Sequence, residues 1–476
     1  MTHPDLYLLI DGKRLKGEGR RTQPVINPAT GESLGNVPLA TISDLDQALA
    51  AAQRAWPAWR ALGPQQRGRI LRKAADLLRE RVDAIARLAT LEEGKALAEA
   101  RMELNIAAEI FDWYAEEGRR AYGRVLPQRT AGVRMTVVKE PVGPVAGFAP
   151  WNFPLGNPAR KLGAALGAGC TVIVKPAEEA PGCALAIAQA LVDAGIPDGV
   201  ISVVFGVPAE VSQHLIASPI IRAITFTGSI PVGKQLAAQA AAGMKRTTME
   251  LGGHAPVLVF DDVDVEAVLD LAVVSKFRNA GQVCVSPTRF YVHESIYDRF
   301  AAGFAARARK WPVGNGLEAD VKMGPLAHSR RLPAVGSIID EAVKSGAKAL
   351  AGGHPLPGKG FFYAPTVLGD VPETTRIMNE EPFGPVAVLA RFSTFDEAIQ
   401  KANRLPYGLA AYAFTQNARR VNLLGEQVES GMLGINSFTI AVPEAPFGGV
   451  KESGHGSEEG IEGLEACLVT KFITES

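Results

Sequence analysis

Val142-Gly143-Pro144-Val145-Ala146-Gly147-Phe148 and the loop after it, Ala149-Pro150-Trp151-Asn152-Phe153-Pro154, open the part of the chain that decides its fold. The apolar run at 142–148 reads as a strand that a proline-bracketed loop brings to an end. Short apolar runs recur at 171–174, 201–205, 223–226 and 256–260, with alanine-rich helical stretches such as 185–194 and 234–242 in the gaps. This alternation specifies a doubly wound, mostly parallel sheet with ligands at the carboxyl ends of its strands. A second α/β region is expected over 251–435, with strands at 364–368 and 386–390 and a helix at 395–405.

Toward the N-terminus the signals turn helical. Residues 6–10 and 24–27 suggest a strand pair, with the turn Asn27-Pro28-Ala29-Thr30-Gly31 behind it. Ser43-Asp44-Leu45-Asp46 reads as a helix N-cap with an acidic first turn before a helix at 48–59. Pro64 opens the next helix, whose apolar stripe is Ile70, Leu71, Ala74, Leu77 and Leu78, and a third spans 97–117. Residues 133–138 and 466–473 alternate like strands but lie outside both cores. Their edges would be unpaired in a monomer, so they are expected to mediate oligomerisation, the alternative being packing on their own subunit.

A chain of 476 residues is too long for one ordinary core. Its 50 basic and 50 acidic side chains cancel, which excludes the basic excess that nucleic-acid binding or membrane-surface attraction leaves. Apolar stretches are broken well before the length of a membrane span, and no basic leader with an apolar run stands at the start. Cys170, Cys183, Cys284 and Cys467 are far apart and lack metal-ligand or CxxC spacing. Free thiols in a reducing cytoplasm, and no metal site, are the expectation.

Three segments carry candidate chemistry. Arg278-Asn279-Ala280-Gly281-Gln282-Val283-Cys284 offers a thiol, Met249-Glu250-Leu251-Gly252-Gly253 a carboxylate, and the Asn152 loop an amide donor. A thiolate that attacks an aldehyde makes an oxyanion, which Asn152 and the Cys284 backbone N–H would stabilise. Expelling hydride leaves a thioester, which a base such as Glu250 would help water to hydrolyse. Gly252 and Gly253 allow close approach or a carboxylate that swings. Each residue alone has a plain reading: a small buried thiol, a strand-end acid, a turn-forming asparagine.

Nucleotide binding has its own signals. Phe226-Thr227-Gly228-Ser229-Ile230-Pro231-Val232-Gly233-Lys234 lies between a strand and a helix, where backbone N–H groups attract a pyrophosphate, although no G-x-G-x-x-G is present. Val174-Lys175-Pro176-Ala177-Glu178 ends another strand, where Lys175 and Glu178 could bond ribose hydroxyls. A carboxylate there would repel a 2′-phosphate and so favours NAD over NADP.

Taken in order, these motifs resemble the NAD(P)-dependent aldehyde dehydrogenases over essentially the whole chain. Glu380-Glu381-Pro382-Phe383-Gly384-Pro385 and Pro446-Phe447-Gly448-Gly449 extend the match. The resemblance implies Cys284 as nucleophile, Glu250 as general base and Asn152 as oxyanion donor. It places Lys175 and Glu178 on the adenosine ribose, Glu381 on the nicotinamide ribose and Phe383 beside the ring, with Trp151, Pro176, Gly228, Ser229, Gly233 and Leu251 also at the cofactor. The implied fold is a Rossmann-type NAD-binding domain (1–124 and 141–250, rejoined by 436–458), an α/β catalytic domain (251–435) and a β-arm for oligomerisation (125–140 and 459–476). A homodimer or homotetramer would follow.

Within that family the chain is most similar to succinate-semialdehyde and 2-oxoglutarate-semialdehyde dehydrogenases. Arg160 and Arg278 occupy positions that grip a substrate carboxylate in those enzymes, and arginine suits bidentate contact. Residues Ala441-Val442-Pro443-Glu444-Ala445 lack the serine common in succinate-semialdehyde enzymes, and Val285-Ser286 follow the nucleophile in place of a second cysteine. 2-Oxoglutarate semialdehyde is therefore favoured, followed by succinate and glutarate semialdehydes. A general aldehyde dehydrogenase for uncharged aldehydes is one alternative, and a cysteine hydrolase or acyltransferase on the same scaffold is the other.

Overall fold

The computed structural model describes residues 3–476. Its first sheet has eight strands, ordered Lys13–Leu15, Leu8–Ile10, Ile201–Val203, Val172–Lys175, Val145–Phe148, Ala223–Gly228, Arg246–Leu251 and Gly454–His455. The five central strands are parallel, and antiparallel strands close both edges. Chain order along the sheet reverses between Val145–Phe148 and Ala223–Gly228, which creates a crevice at their carboxyl ends. The Asn152 loop leaves one of these strands and the Gly228-Ser229 turn leaves the other. Val172–Lys175 is buried along its whole length, which is why it reads as a continuous apolar run and not as an alternation.

The second sheet has seven strands, ordered Lys348–Ala351, Thr366–Gly369, Val386–Phe392, Arg289–His293, Pro256–Val259, Ala410–Phe414 and Met432–Ile435. Pro256–Val259 lies inside this sheet, parallel to Arg289–His293 and Ala410–Phe414. Each sheet has its own buried apolar cluster. A third sheet joins Leu468–Glu475, Arg134–Pro141 and Arg124–Leu126, with Phe472 and Val125 exposed on it. Among the described residues no helix is long and apolar enough to cross a membrane.

Several local expectations need correction. The strand at Leu8–Ile10 does not pair with the segment near Pro24. It pairs with Lys13–Leu15 and Ile201–Val203, while Thr22–Ile26 pairs with Ser33–Pro38. A helix at Val82–Glu93 was not anticipated, because it begins one residue after Pro64–Glu80 ends and has no side-chain cap to announce it. Glu250 lies inside the strand Arg246–Leu251 and not after it. The C-terminal strand begins at Leu468, two residues later than expected, and the helix Gly460–Ala466 before it buries Leu464 in the first core.

The first long helix, Ile42–Ala61, is capped at Thr41 and not at Ser43. The Thr41 side chain accepts the Asp44 N–H, while Asp44 accepts the Thr41 N–H at 2.8 Å and holds Arg20 through two nitrogens at 3.0 and 2.7 Å. Burial works against the Asp44 charge, but Arg20 and Thr41 outweigh it and hold the carboxyl below its usual range. Asp44→Ala should therefore cost about 2 kcal/mol in denaturant unfolding. A depressed native pKa contributes stability that is fully present above the unfolded value of about 4 and is lost as pH falls through the native one. The gap between wild type and variant should accordingly close in acid, as a titration of unfolding midpoints would record.

Candidate active site

A cleft of about 670 Å³ lies between the carboxyl edge of the first sheet and the amino edge of the second. Its wall includes Trp151, Asn152, Gly228, Ser229, Glu250, Leu251, Cys284, Glu381 and Phe383, all singled out from sequence. Lys175, Pro176, Glu178, Gly233, Arg160 and Arg278 are outside that wall. Gly233 is buried one turn into the helix Ile230–Ala242, where a Cβ would meet Leu251 at 2.2 Å, so its role is helix-to-strand packing.

The Cys284 loop is held by backbone conformation. Asn279, Ala280 and Gly281 all have left-handed φ, at 48°, 51° and 70°. A Cβ on Gly281 would stand 2.0 Å from the Gly384 carbonyl oxygen, so no other residue fits. Buried Gln282 ties the turn down, donating to the Asn279 carbonyl at 3.1 Å and accepting the Ala327 N–H at 3.0 Å. Asn152 Nδ2 donates to the Gln282 carbonyl at 3.1 Å, which aims the amide at the thiol's loop. Among the described residues the Cys284 N–H donates to no backbone acceptor.

Cys284 is half-buried, and burial pushes its thiol up to about 12, with Arg160 pulling the other way. Glu250 is buried and neither carboxyl oxygen has a partner among the described residues. Burial first, and the Glu458 carboxylate second, hold it well above the ordinary range. An unsatisfied buried acid beside a thiol is a costly arrangement that packing alone does not require.

A dinucleotide fits the remaining residues. Ser229 precedes the helix Ile230–Ala242, whose N-terminus faces the cleft. Glu381 stands in the cleft with its carboxyl raised to about 8 by burial, and the expected close approach at Gly252 is present: a Cβ there would lie 2.6 Å from Glu381 Oε2. Phe383, at φ 43°, meets Trp151 edge-on at 5.6 Å. Lys175 and Glu178 pair at 2.7 Å at the end of their strand, and Glu178 also accepts the Gly206 N–H at 2.9 Å.

Arg160 lies on the helix Gly156–Ala168 that follows the Asn152 loop. Its Nε donates to Glu459 at 2.8 Å and its guanidinium lies 4.3 Å over the Phe447 ring. Arg278 lies 5.8 Å over Phe153. Among the described residues, the Arg278 guanidinium and the Arg160 terminal nitrogens donate no hydrogen bond, and both charges act on Cys284. Sequence reading missed Lys161, Glu458, Glu459 and Lys95. Lys161 meets Glu458 at 2.6 Å and Thr227 at 2.7 Å, and Lys95 donates to the Asn152 carbonyl at 2.8 Å while paired with Glu103. Only Glu458-Glu459, adjacent acids between glycines and serines, left a visible mark in the sequence.

A thiol raised this far holds almost no thiolate at neutral pH. Iodoacetamide labelling of Cys284 in the ligand-free protein should accelerate about tenfold per pH unit from 7 to 9. A plateau below pH 8, followed by mass spectrometry of the Cys284 peptide, would contradict the geometry.

Comparison with known proteins matches the aldehyde dehydrogenase family over residues 15–473. A 4-(hydroxymethyl)benzenesulfonate dehydrogenase of Comamonas testosteroni is 50% identical over 466 residues, covering 98% of this chain and 97% of its own. A glutarate-semialdehyde dehydrogenase of Pseudomonas aeruginosa is 44% identical over 464 residues, covering 98% and 96%. The crystal structure of succinate-semialdehyde dehydrogenase from Burkholderia pseudomallei superposes with a TM-score of 0.97 at 43% identity, covering 99% of this chain and 98% of that one. With the motifs in order, the two sheets in place and these likenesses spanning nearly its full length, the chain belongs to the aldehyde dehydrogenase family and is an enzyme that oxidises aldehydes.

Proposed function

We propose that the enzyme oxidises a short aldehyde bearing a carboxylate or sulfonate at its far end, with Cys284 as nucleophile. The observation that carries the chemistry is the convergence of Cys284, Asn152 and Glu250 on one cleft. Cys284 releases its proton to solvent, its Sγ bonds to the aldehyde carbon as the C=O π bond breaks, and the carbonyl oxygen takes the charge. The Asn152 amide and the Cys284 N–H donate to that oxyanion. The chemistry a nicotinamide ring supplies when bound is acceptance of the hydride expelled as the oxyanion collapses to a thioester. Glu250, once ionised, takes a proton from water; the hydroxide attacks the thioester carbon, the C–S bond breaks, and the leaving thiolate takes that proton back from Glu250 as the acid departs. Desolvation by burial makes Glu250 a stronger base than an exposed carboxylate.

Glu381, Phe383 and Trp151 would hold the nicotinamide end, Gly228, Ser229 and Leu251 the pyrophosphate, and Lys175, Pro176 and Glu178 the adenosine ribose. The Glu178 carboxylate can accept from ribose hydroxyls but opposes a 2′-phosphate, which favours NAD. The three-stranded sheet, with Phe472 and Val125 exposed, would join copies into a homodimer or homotetramer. The 251–435 region would form the catalytic unit and 436–458 would return to the cofactor unit.

The anion would be held by Arg278 and the terminal nitrogens of Arg160, both of which act on Cys284 from outside the cleft wall. Sulfonate and dicarboxylic semialdehydes in the names of similar enzymes support this class, which is broader than 2-oxoglutarate semialdehyde alone. An uncharged aldehyde leaves both guanidinium groups without a ligand.

Glu250→Gln should release one equivalent of reduced cofactor in a burst and then stall, because hydride loss precedes hydrolysis. Stopped-flow absorbance reads this directly, and a missing burst with intact cofactor affinity would move Glu250 to thiol activation. The substrate class is tested with succinate, glutarate and 2-oxoglutarate semialdehydes and 4-formylbenzenesulfonate against butanal and benzaldehyde, each with NAD and NADP. Arg278→Leu and Arg160→Leu should lower kcat/KM roughly ten- to a hundredfold on the anions and spare the neutral aldehydes. NAD should give the higher kcat/KM. Equal losses on both aldehyde types would return the substrate to a general aldehyde.

A further inference from the structure

Glu459 occupies backbone space that normally belongs to glycine. Its φ of 58° and ψ of −177° put a side chain where a Cβ is strained, a state that persists only when the surroundings impose it. The residue is fully buried. Its neighbour Glu458 is locked by paired backbone bonds with Phe447, at 2.7 and 2.9 Å, and turns its carboxylate to Lys161. The left-handed step then sends the next carboxylate to Arg160, so adjacent acids meet adjacent bases on one helix. Glu459 Oε1 takes Arg160 Nε at 2.8 Å, and Oε2 has no partner among the described residues.

That contact has a consequence for recognition. Binding by Nε fixes the guanidinium plane on the Phe447 face and leaves the two terminal nitrogens open among the described residues. It also offsets the Arg160 charge, whereas Arg278 has no carboxylate within ion-pair distance among the described residues. The site therefore presents two sets of donors, of which Arg160's is ion-paired and Arg278's is not.

We propose that Glu459 is a positioning residue that sets substrate specificity, orienting Arg160 toward the ligand and limiting the site to an aldehyde with a single anionic group. It rests on the anionic-substrate reading. Glu459 contacts Arg160 and acts through it, so its removal changes recognition of the anion and not the carbon chemistry.

The test measures KM and kcat of wild type, Glu459→Gly and Glu459→Gln on succinate semialdehyde and on butanal. Glycine relieves the backbone strain and frees Arg160, so KM for succinate semialdehyde should rise roughly tenfold while kcat and both constants for butanal stay within about twofold. Glutamine keeps an acceptor for Nε and should restore the anionic KM to within about threefold of wild type. It should also raise relative activity on a dianionic aldehyde, 2-formylsuccinate, because Arg160 then carries an uncompensated charge. An unchanged anionic KM in Glu459→Gly, equal losses on both aldehydes, or a glutamine variant as impaired as the glycine one would overturn the proposal. Wild type separates the two readings: no preference for succinate semialdehyde over butanal sinks the anionic substrate itself, whereas a clear preference indifferent to Glu459→Gly sinks only this inference.

Discussion

Residues 252–255 are all that separates the end of Arg246–Leu251 in one sheet from the start of Pro256–Val259 in the other. A segment this short spans at most about 14 Å even when extended. The carboxyl edge of the first sheet must therefore face the amino edge of the second, and the cleft is the space between them. Glu250 comes from the strand on one side. Cys284 comes from the turn that leads into Arg289–His293, which pairs directly with Pro256–Val259. The two residues are brought together by a single crossing and the sheet register on either side of it.

The charges around this cleft divide into those that hold and those that wait. Lys161 with Glu458, Lys95 with Glu103 and Lys175 with Glu178 are buried ion pairs. Such pairs are costly to break because the survivor is left as an uncompensated buried charge. Each also holds a neighbouring group: Lys161 the Thr227 hydroxyl, Lys95 the Asn152 carbonyl, Glu178 the Gly206 N–H. Among the described residues Glu250 and Arg278 have no such partner, and Glu250 lines the cleft. The difference in pairing separates scaffold from reactive groups more sharply than residue type does.

The legible parts of the sequence were those governed by local periodicity. The 172–175 and 145–148 strands are short apolar runs between glycine and proline signals, and they appear within a few residues of their expected bounds. Cys284, Asn152 and Glu250, which line one cleft, could be singled out because their flanking glycines and prolines mark turns at strand ends, although Glu250 lies within its strand. Long-range pairing was not legible. Leu8–Ile10 joins a strand nearly two hundred residues away, and nothing in its own composition specifies that partner. The Thr41 cap was misplaced because Ser43 and Asp44 offer the same chemistry, and only Arg20 on Asp44 distinguishes them. Lys161 and Lys95 were not singled out, since a lysine's burial depends on an acid supplied from elsewhere in the chain.

The raised thiol and the raised Glu250 carboxyl follow from one cause. Excluding water from the cleft penalises the thiolate and the carboxylate alike, so burial pushes both groups toward their neutral forms, which are less costly to bury than two anions. Arg160 offsets part of this penalty at Cys284. Arg278, which has no ion-paired carboxylate among the described residues, is the cation that can hold the anion with the least effect on Arg160, so the two arginines serve recognition and thiol chemistry in different proportions.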